Sequence, residues 1–287
     1  MTDPLDALRE PVTPVEPDPL FATRLRARLE RALLDPRGAT MTSTETSTPP
    51  GPGARQGDVG YASLWMPDVE RAATFYASVL GWEYAPGSGP QGRQVRDVTP
   101  PLGLWGGQDR GTAFLCFVVD DVTEAVRRVR DAGGRADEPT QEPYGRIANC
   151  TDDQGMPFAV YQQPESPAVP VGPPRPGGLA YLTIEVADSA RARGFYGAVL
   201  GWRFTPGTVE DGWSVRLGQG EVSPMTGMHG GHELPTVVPM YAVDDVAAAV
   251  ARVRAAGGTA TDPERMPYGI TADCADDQGT RFYLGQF

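Results

Sequence analysis

Lysine is absent from this chain of 287 residues, and histidine occurs only at His229 and His232. The 37 acidic residues outnumber the 25 arginines, leaving a formal charge of −12. A chain without a basic face is poorly built for a polyanion, so nucleic acid is excluded as an expected partner. The acidic excess favours solubility instead. Cysteine is scarce as well. Cys116, Cys150 and Cys274 are odd in number and far apart, which predicts buried thiols rather than a redox or metal cluster. No apolar run approaches the ~18–20 residues needed to span a bilayer, so no membrane partner is expected. The N-terminus shows no charged-then-apolar leader pattern, and a cytoplasmic protein is expected.

What the chain does have is repetition. "RAATFYASVLGWEYAPG" (71–87) returns as "RARGFYGAVLGWRFTPG" (191–207), and "FVVDDVTEAVRRVRDAGG" (117–134) returns as "YAVDDVAAAVARVRAAGG" (241–258). "PYGRIANCTDDQGMPFAVYQ" is likewise repeated as "PYGITADCADDQGTRFYLGQ". Repeats of this length are whole domains, not solenoid units. Four segments are expected: an extension over 1–57, a first domain over 58–163, a Pro-rich tether over 164–177, and a second domain over 178–287. In the extension, Phe21, Leu25, Leu29 and Leu33 recur every four residues, predicting an amphipathic helix over about 21–34. Met41 follows it and is a conceivable alternative start.

Each domain contains a fainter repeat of its own. "ASLWMPDVERAATFYASVLGW" reads as a strand, an Asp cap, a helix and a Gly stop, and "FLCFVVDDVTEAVRRVRDAGG" reads the same way. Short strand candidates between turn residues follow each helix. The element order is βαβββ, twice per domain. Such a unit leaves one sheet face open, so two units side by side should make a cup with helices outside. Phe75, Tyr76, Phe195 and Tyr196 are expected to pack as helix faces. Trp82 and Trp202 are expected to pin each helix to its sheet.

The phrase "FYxxxLGW", the second phrase "VDDVxxAVxRVRxAGG" and the "DDQG" turn together resemble the vicinal-oxygen-chelate superfamily. That superfamily includes glyoxalase I, extradiol dioxygenases and bleomycin-resistance proteins. The resemblance runs from about Asp58 to the C-terminus and is nearest to tandem two-domain glyoxalase-like proteins. It implies an α+β fold of four βαβββ modules paired into two domains. In metal-dependent members, His and Glu from three or four strands hold a divalent ion. Aligned on the Asp caps, those places fall on Tyr61, Phe114 and Ala159, and on Tyr181, Val238 and Tyr283. A divalent ion needs converging O or N donors. Phe, Val and Ala offer none, and a phenol with a pKa of about 10 is a poor ligand at neutral pH. No metal site and no cofactor are expected.

Strand alternation puts Tyr61, Trp65, Phe114 and Tyr161 inside the first cup, and Tyr181, Glu185, Met240 and Tyr283 inside the second. Such linings suit an aromatic or moderately apolar small molecule. Tyr144, Arg146 and Tyr268 stand at loop-to-strand entrances. Glu185 and His229 are the candidate acid–base groups, with Glu185 equally able to pair with Arg216. Gly230 and Gly231 place the two histidines in a loop. The expected function is metal-free binding of a small molecule, as in bleomycin-resistance proteins. A lyase or isomerase working from the second domain is the alternative, and a purely structural tandem is a third. Either a monomer with pseudo-dimeric domains or a homodimer would serve.

Overall fold

The computed structural model describes residues 54–142, 144–163 and 174–287. The expected helix over 21–34, Met41 and residues 164–173 of the tether lie outside them. The first half contains β1 (Val59–Trp65), α1 (Val69–Leu80), β2 (Tyr84–Pro86), β3 (Gly92–Val95), β4 (Leu102–Trp105), β5 (Thr112–Val118), α2 (Val122–Asp131), β6 (Arg135–Ala136), β7 (Thr140–Glu142), β8 (Gly145–Thr151) and β9 (Pro157–Gln162). The second half contains β10 (Leu179–Glu185), α3 (Ser189–Leu200), β11 (Arg203–Pro206), β12 (Gly212–Leu217), β13 (Gly220–Glu221), β14 (Met225–His229), β15 (Thr236–Ala242), α4 (Val246–Ala255), β16 (Thr259–Ala260), β17 (Glu264–Met266), β18 (Gly269–Ala275) and β19 (Arg281–Gln286).

Each half makes one mixed sheet. The strand order is β2-β3-β4-β1-β5-β9-β8-β6 in the first and β11-β12-β14-β10-β15-β19-β18-β16 in the second. Short strands β7, β13 and β17 hairpin onto their neighbours β8, β12 and β18. The opening strand of each unit runs parallel to that unit's last long strand, as β1 does to β4 and β5 to β9. The two units of a sheet meet through antiparallel opening strands, β1 on β5 and β10 on β15. The architecture is therefore α+β, four βαβββ units in two sheets, as the resemblance implies.

Local chemistry sets the helix ends. Asp68 accepts hydrogen bonds from the backbone N–H of Glu70 and Arg71 at 3.0 and 3.1 Å. Asp121, Asp188 and Asp245 cap α2, α3 and α4 in the same way. Each such cap stabilises its helix by about 1 kcal/mol. Gly81 and Gly201 close α1 and α3 at φ 72° and 74°, a left-handed conformation that costs other residues more.

The core is shared by both halves. Apolar residues of the two sheets and all four helices form one buried cluster. The Tyr76 ring of α1 lies 5.6 Å from Phe282 and 6.1 Å from Tyr241, both in the other half. Tyr196 of α3 lies 6.0 Å from Phe158 and 6.2 Å from Phe117 in return. Trp82 stacks on Tyr76 of α1 at 5.1 Å and Trp202 on Tyr196 of α3 at 5.3 Å, as expected, and both also reach across to the other half. Trp82 packs edge-on against Tyr241 and donates from Nε1 to the Gly177 carbonyl at 2.8 Å. Trp202 packs on Phe117 and donates to the Gly57 carbonyl at 2.9 Å. Each tryptophan therefore fastens one half to the other, just ahead of its opening strand.

The "DDQG" turns complete the joint. Asp152 Oδ1 accepts from the Gln154 and Met156 N–H groups, while its Oδ2 accepts from Tyr196 Oη at 3.1 Å. Gln154 then exchanges two hydrogen bonds with the backbone of Asp188, the cap of α3. Asp276, Gln278, Tyr76 and Asp68 repeat the arrangement, with Tyr76 Oη 3.4 Å from Asp276. Arg191 pairs with Asp153 and Arg71 with Asp277 at the rim. Burial pushes the carboxyls of both Asp152 and Asp276 above their usual range.

Candidate functional site

Alternation along the central strands separates two faces of each sheet. Ala62, Leu64, Leu115, Phe117, Phe158 and Val160 enter the shared core. Tyr61, Ser63, Trp65, Phe114, Cys116, Ala159 and Tyr161 point to the opposite face of the same sheet. On that first face the rings of Trp65 and Phe114 stack with centroids 4.6 Å apart and planes 7° from parallel. Both rings remain partly accessible. Tyr161 donates to the Tyr144 carbonyl at 2.7 Å, and the exposed Tyr144 ring leans over it at 6.3 Å. Tyr61 lies flat over β4, where a Cβ on Gly103 would collide with its hydroxyl. Gly103 is the residue that lets the ring approach the backbone.

The electrostatics of this face are quiet. Burial, with a smaller push from Cys116, raises the Tyr61 phenol to about 12 against the pull of its Ser63 hydrogen bond. Burial raises the Cys116 thiol to about 12 too. All three cysteines are free and buried. Neither phenol nor thiol ionises near neutrality, so the first face presents rings and neutral hydroxyls.

The second face is built differently. Tyr181, Thr183 and Glu185 of β10 stand beside Val238 and Met240 of β15, with Arg281 and Tyr283 on β19. Glu185 is 4% exposed. Its two oxygens accept from Arg281 Nη1 and Nη2 at 2.8 and 2.9 Å, a two-point fork. Arg216, one of the alternatives open from sequence, pairs with Glu221 instead. His229 lies in strand β14 opposite Glu185, not in a loop. Its Nε2 meets the Glu210 carbonyl at 3.1 Å and its Nδ1 meets His232 Nε2 at 2.7 Å. A carbonyl only accepts, so His229 carries its proton on Nε2 and accepts from His232 at Nδ1. His232 Nδ1 then faces Glu185 Oε2 at 3.5 Å. Two groups result, Glu210 with His229 and His232 in one and Glu185 with Arg281 in the other, and Arg281 Nη2 also reaches Tyr283 Oη at 3.4 Å.

These donors do not suit the divalent ion that the resemblance implies. Among the described residues, no three His, Cys, Asp or Glu side chains come together as ion ligands. Glu185, His229 and His232 come nearest in kind. Yet the imidazoles are turned on each other and on a carbonyl, and Glu185 already holds a guanidinium. The phenols of Tyr181 and Tyr283 are raised, first by burial, and so stay protonated.

A family model described as a glyoxalase-like domain matches this chain twice, over residues 62–161 and 181–284. The chain belongs to the glyoxalase-like family. Its two matches coincide with the two sheets. A relative within reach of this family member is the anthracycline biosynthesis protein DauV of Streptomyces sp. (strain C5), 27% identical over 79% of this chain and 92% of that protein. The Mn(II)-bound glyoxalase of Novosphingobium aromaticivorans superposes with a TM-score of 0.65 at 17% identity, covering 81% of this chain and 83% of that one. The 2,2′,3-trihydroxybiphenyl 1,2-dioxygenase of Sphingomonas wittichii strain RW1 gives 0.62 at 17% identity, over 81% and 91%. These structures share the fold of this chain. No helix among the described residues of this glyoxalase-like protein is long and apolar enough to cross a membrane.

Of the residues singled out from sequence, Tyr61, Trp65, Phe114 and Tyr161 share the first face. Tyr181, Glu185, Met240 and Tyr283 share the second, where Met240, Tyr181 and Tyr283 also form a small apolar cluster of their own. Arg281 escaped the sequence reading. A signal was present. Arg281 stands where the first copy has Pro157, and a change from Pro to Arg between matched repeats marks a place where the copies do different work.

Proposed function

We propose that this glyoxalase-like protein binds small molecules without a resident metal, and that its first face takes a planar aromatic ligand. The observation that carries the reading is the parallel Trp65–Phe114 stack flanked by Tyr61 and Tyr161, a partly accessible aromatic surface with no group that ionises near neutral pH. A flat ring system continues such a stack and gains about 0.5–1.5 kcal/mol per ring pair beyond the area it buries. A relative named for anthracycline biosynthesis, the making of fused-ring aromatic compounds, supports the same ligand class. Acid–base work as a lyase or isomerase is disfavoured, because both nitrogens of His229 and both oxygens of Glu185 are already held by protein partners.

The test is a titration of the full chain, in excess EDTA, with alizarin, a three-ring hydroxyquinone. Saturable quenching of tryptophan fluorescence is expected, weakened about tenfold by Trp65→Ala. A bound ligand at 100 times its Kd should also raise the unfolding free energy by about 2.7 kcal/mol. Binding that disappears in EDTA and returns with added metal would end the metal-free reading. An unchanged affinity in Trp65→Ala would move the ligand off the first face.

A further inference from the structure

We propose that the second face carries a separate site for aryl ligands that bear an anionic oxygen, with Arg281 as its anchor. The inference rests on the reading of the sheet faces as ligand surfaces and adds a distinct chemistry to one of them.

The Glu185 side chain is 5% exposed and that of Arg281 is 51% exposed. The acid therefore lies beneath and the guanidinium on top. Both carboxylate oxygens are taken by the fork, so the negative charge is covered and the presented surface is the cation. A guanidinium has five N–H donors. Three bonds engage it here, two to Glu185 and one to Tyr283. Tyr283 holds its proton because burial raises its phenol, so beside Arg281 it stands as a further donor. Arg281 and Tyr283 occupy alternate positions of β19 and share its outward face, and the partly accessible rings of Tyr181 and Tyr283 pack over the buried Met240. Donors at one end and an apolar platform at the other fit a ring carrying a carboxylate or an acidic phenol.

Glu185 gives this anchor its position. An Arg side chain left free would sample many rotamers, and ordering it on binding costs up to about 2 kcal/mol. Here two hydrogen bonds to the buried Glu185 carboxylate fix the fork. Arg281 is thus pre-ordered before a ligand arrives, which removes that cost from binding.

The experiment compares 2-naphthoate with 2-naphthamide, the same ring with and without the charge, by calorimetric titration of the full chain in EDTA. Wild type is expected to bind the carboxylate at least tenfold more tightly. Arg281→Lys keeps a cation over Glu185, and so guards the fold, but loses the fork; the preference should fall to about threefold or less. The double variant Glu185→Gln with Arg281→Gln leaves no buried charge unpaired and should abolish the preference. Trp65→Ala should leave it intact. Equal affinities for the two probes in wild type, or a preference that survives the double variant, would overturn this proposal while leaving the aromatic reading of the first face standing. Failure of both probes and of alizarin to bind would overturn the two together.

Discussion

The two halves are alike where they grip each other and unlike where they face away. Phe75, Tyr76, Trp82, Asp152 and Gln154 have Phe195, Tyr196, Trp202, Asp276 and Gln278 as counterparts, and the hydrogen bonds between them repeat almost atom for atom. On the outward faces the match fails. The register makes the correspondence unambiguous. Trp65 lies opposite Trp105 as Glu185 lies opposite His229. Ser63 lies opposite Phe114 as Thr183 lies opposite Val238. Thr151 lies opposite Pro157 as Ala275 lies opposite Arg281. An aromatic corner in one sheet is an ionic corner in the other. The substitutions support one another. Phe114 stacks on Trp65 in the first corner, whereas the smaller Val238 accompanies an arginine that spans from β19 to a glutamate on β10. A joint must satisfy two partners at once and tolerates few changes, while an outward face answers only to what it meets.

The largest test of that comparison is at the joint. Phe75→Ala and Phe195→Ala should each lower the unfolding free energy by about 3–5 kcal/mol, and by equal amounts within about 1 kcal/mol. Urea denaturation of the two variants checks this, and a clear inequality would break the symmetry. Next comes the ionic corner. Arg281→Ala strands a buried carboxylate, a loss of about 3–5 kcal/mol for a fully buried pair and nearer 2 here because half of the arginine is in solvent. Pro157→Ala at the matching place should cost less than about 1 kcal/mol. Similar losses from both would erase the difference between the faces. A smaller effect separates the two tyrosine bonds. Tyr196→Phe should cost about 1 kcal/mol, and Tyr76→Phe less, since its bond to Asp276 is longer.

The smallest test uses pH. Burial raises the carboxyls of Asp152 and Asp276 above the unfolded range, so the folded state holds their protons more tightly than the unfolded chain does. Their contribution to stability is at its least above the folded pKa. It grows as pH falls through that value and levels off below the ordinary aspartate range. Wild type should therefore gain on the Asp152→Asn, Asp276→Asn double variant between pH 7 and pH 4 in denaturant titrations. A gap that narrows on acidification would contradict the sign.

Much of this fold was legible in the sequence, because period-two alternation and Asp–Gly helix punctuation are local signals. Alternation put Tyr61, Ser63 and Trp65 on one sheet face, and the family resemblance said which face that was. The joint was not legible. Trp82 meets Gly177 and Tyr241 across 95 and 159 positions of chain. No local pattern says whether an aromatic after a helix stop packs on its own sheet or on a neighbour. The same limit hid the ionic corner, since Glu185 and Arg281 are 96 residues apart and Arg216 was an equally reasonable partner on charge grounds. What the spacing did disclose was the mismatch between the copies, and that mismatch falls on the outward faces.

The exchange of tryptophans and glutamines between the halves has a topological consequence. Because α1 is clasped by the closing turn of the second sheet and α3 by that of the first, the two ends of the described chain are latched as firmly as its middle. Continuity of the peptide through 164–173 is then a redundant link, and a nick there should leave one particle rather than two.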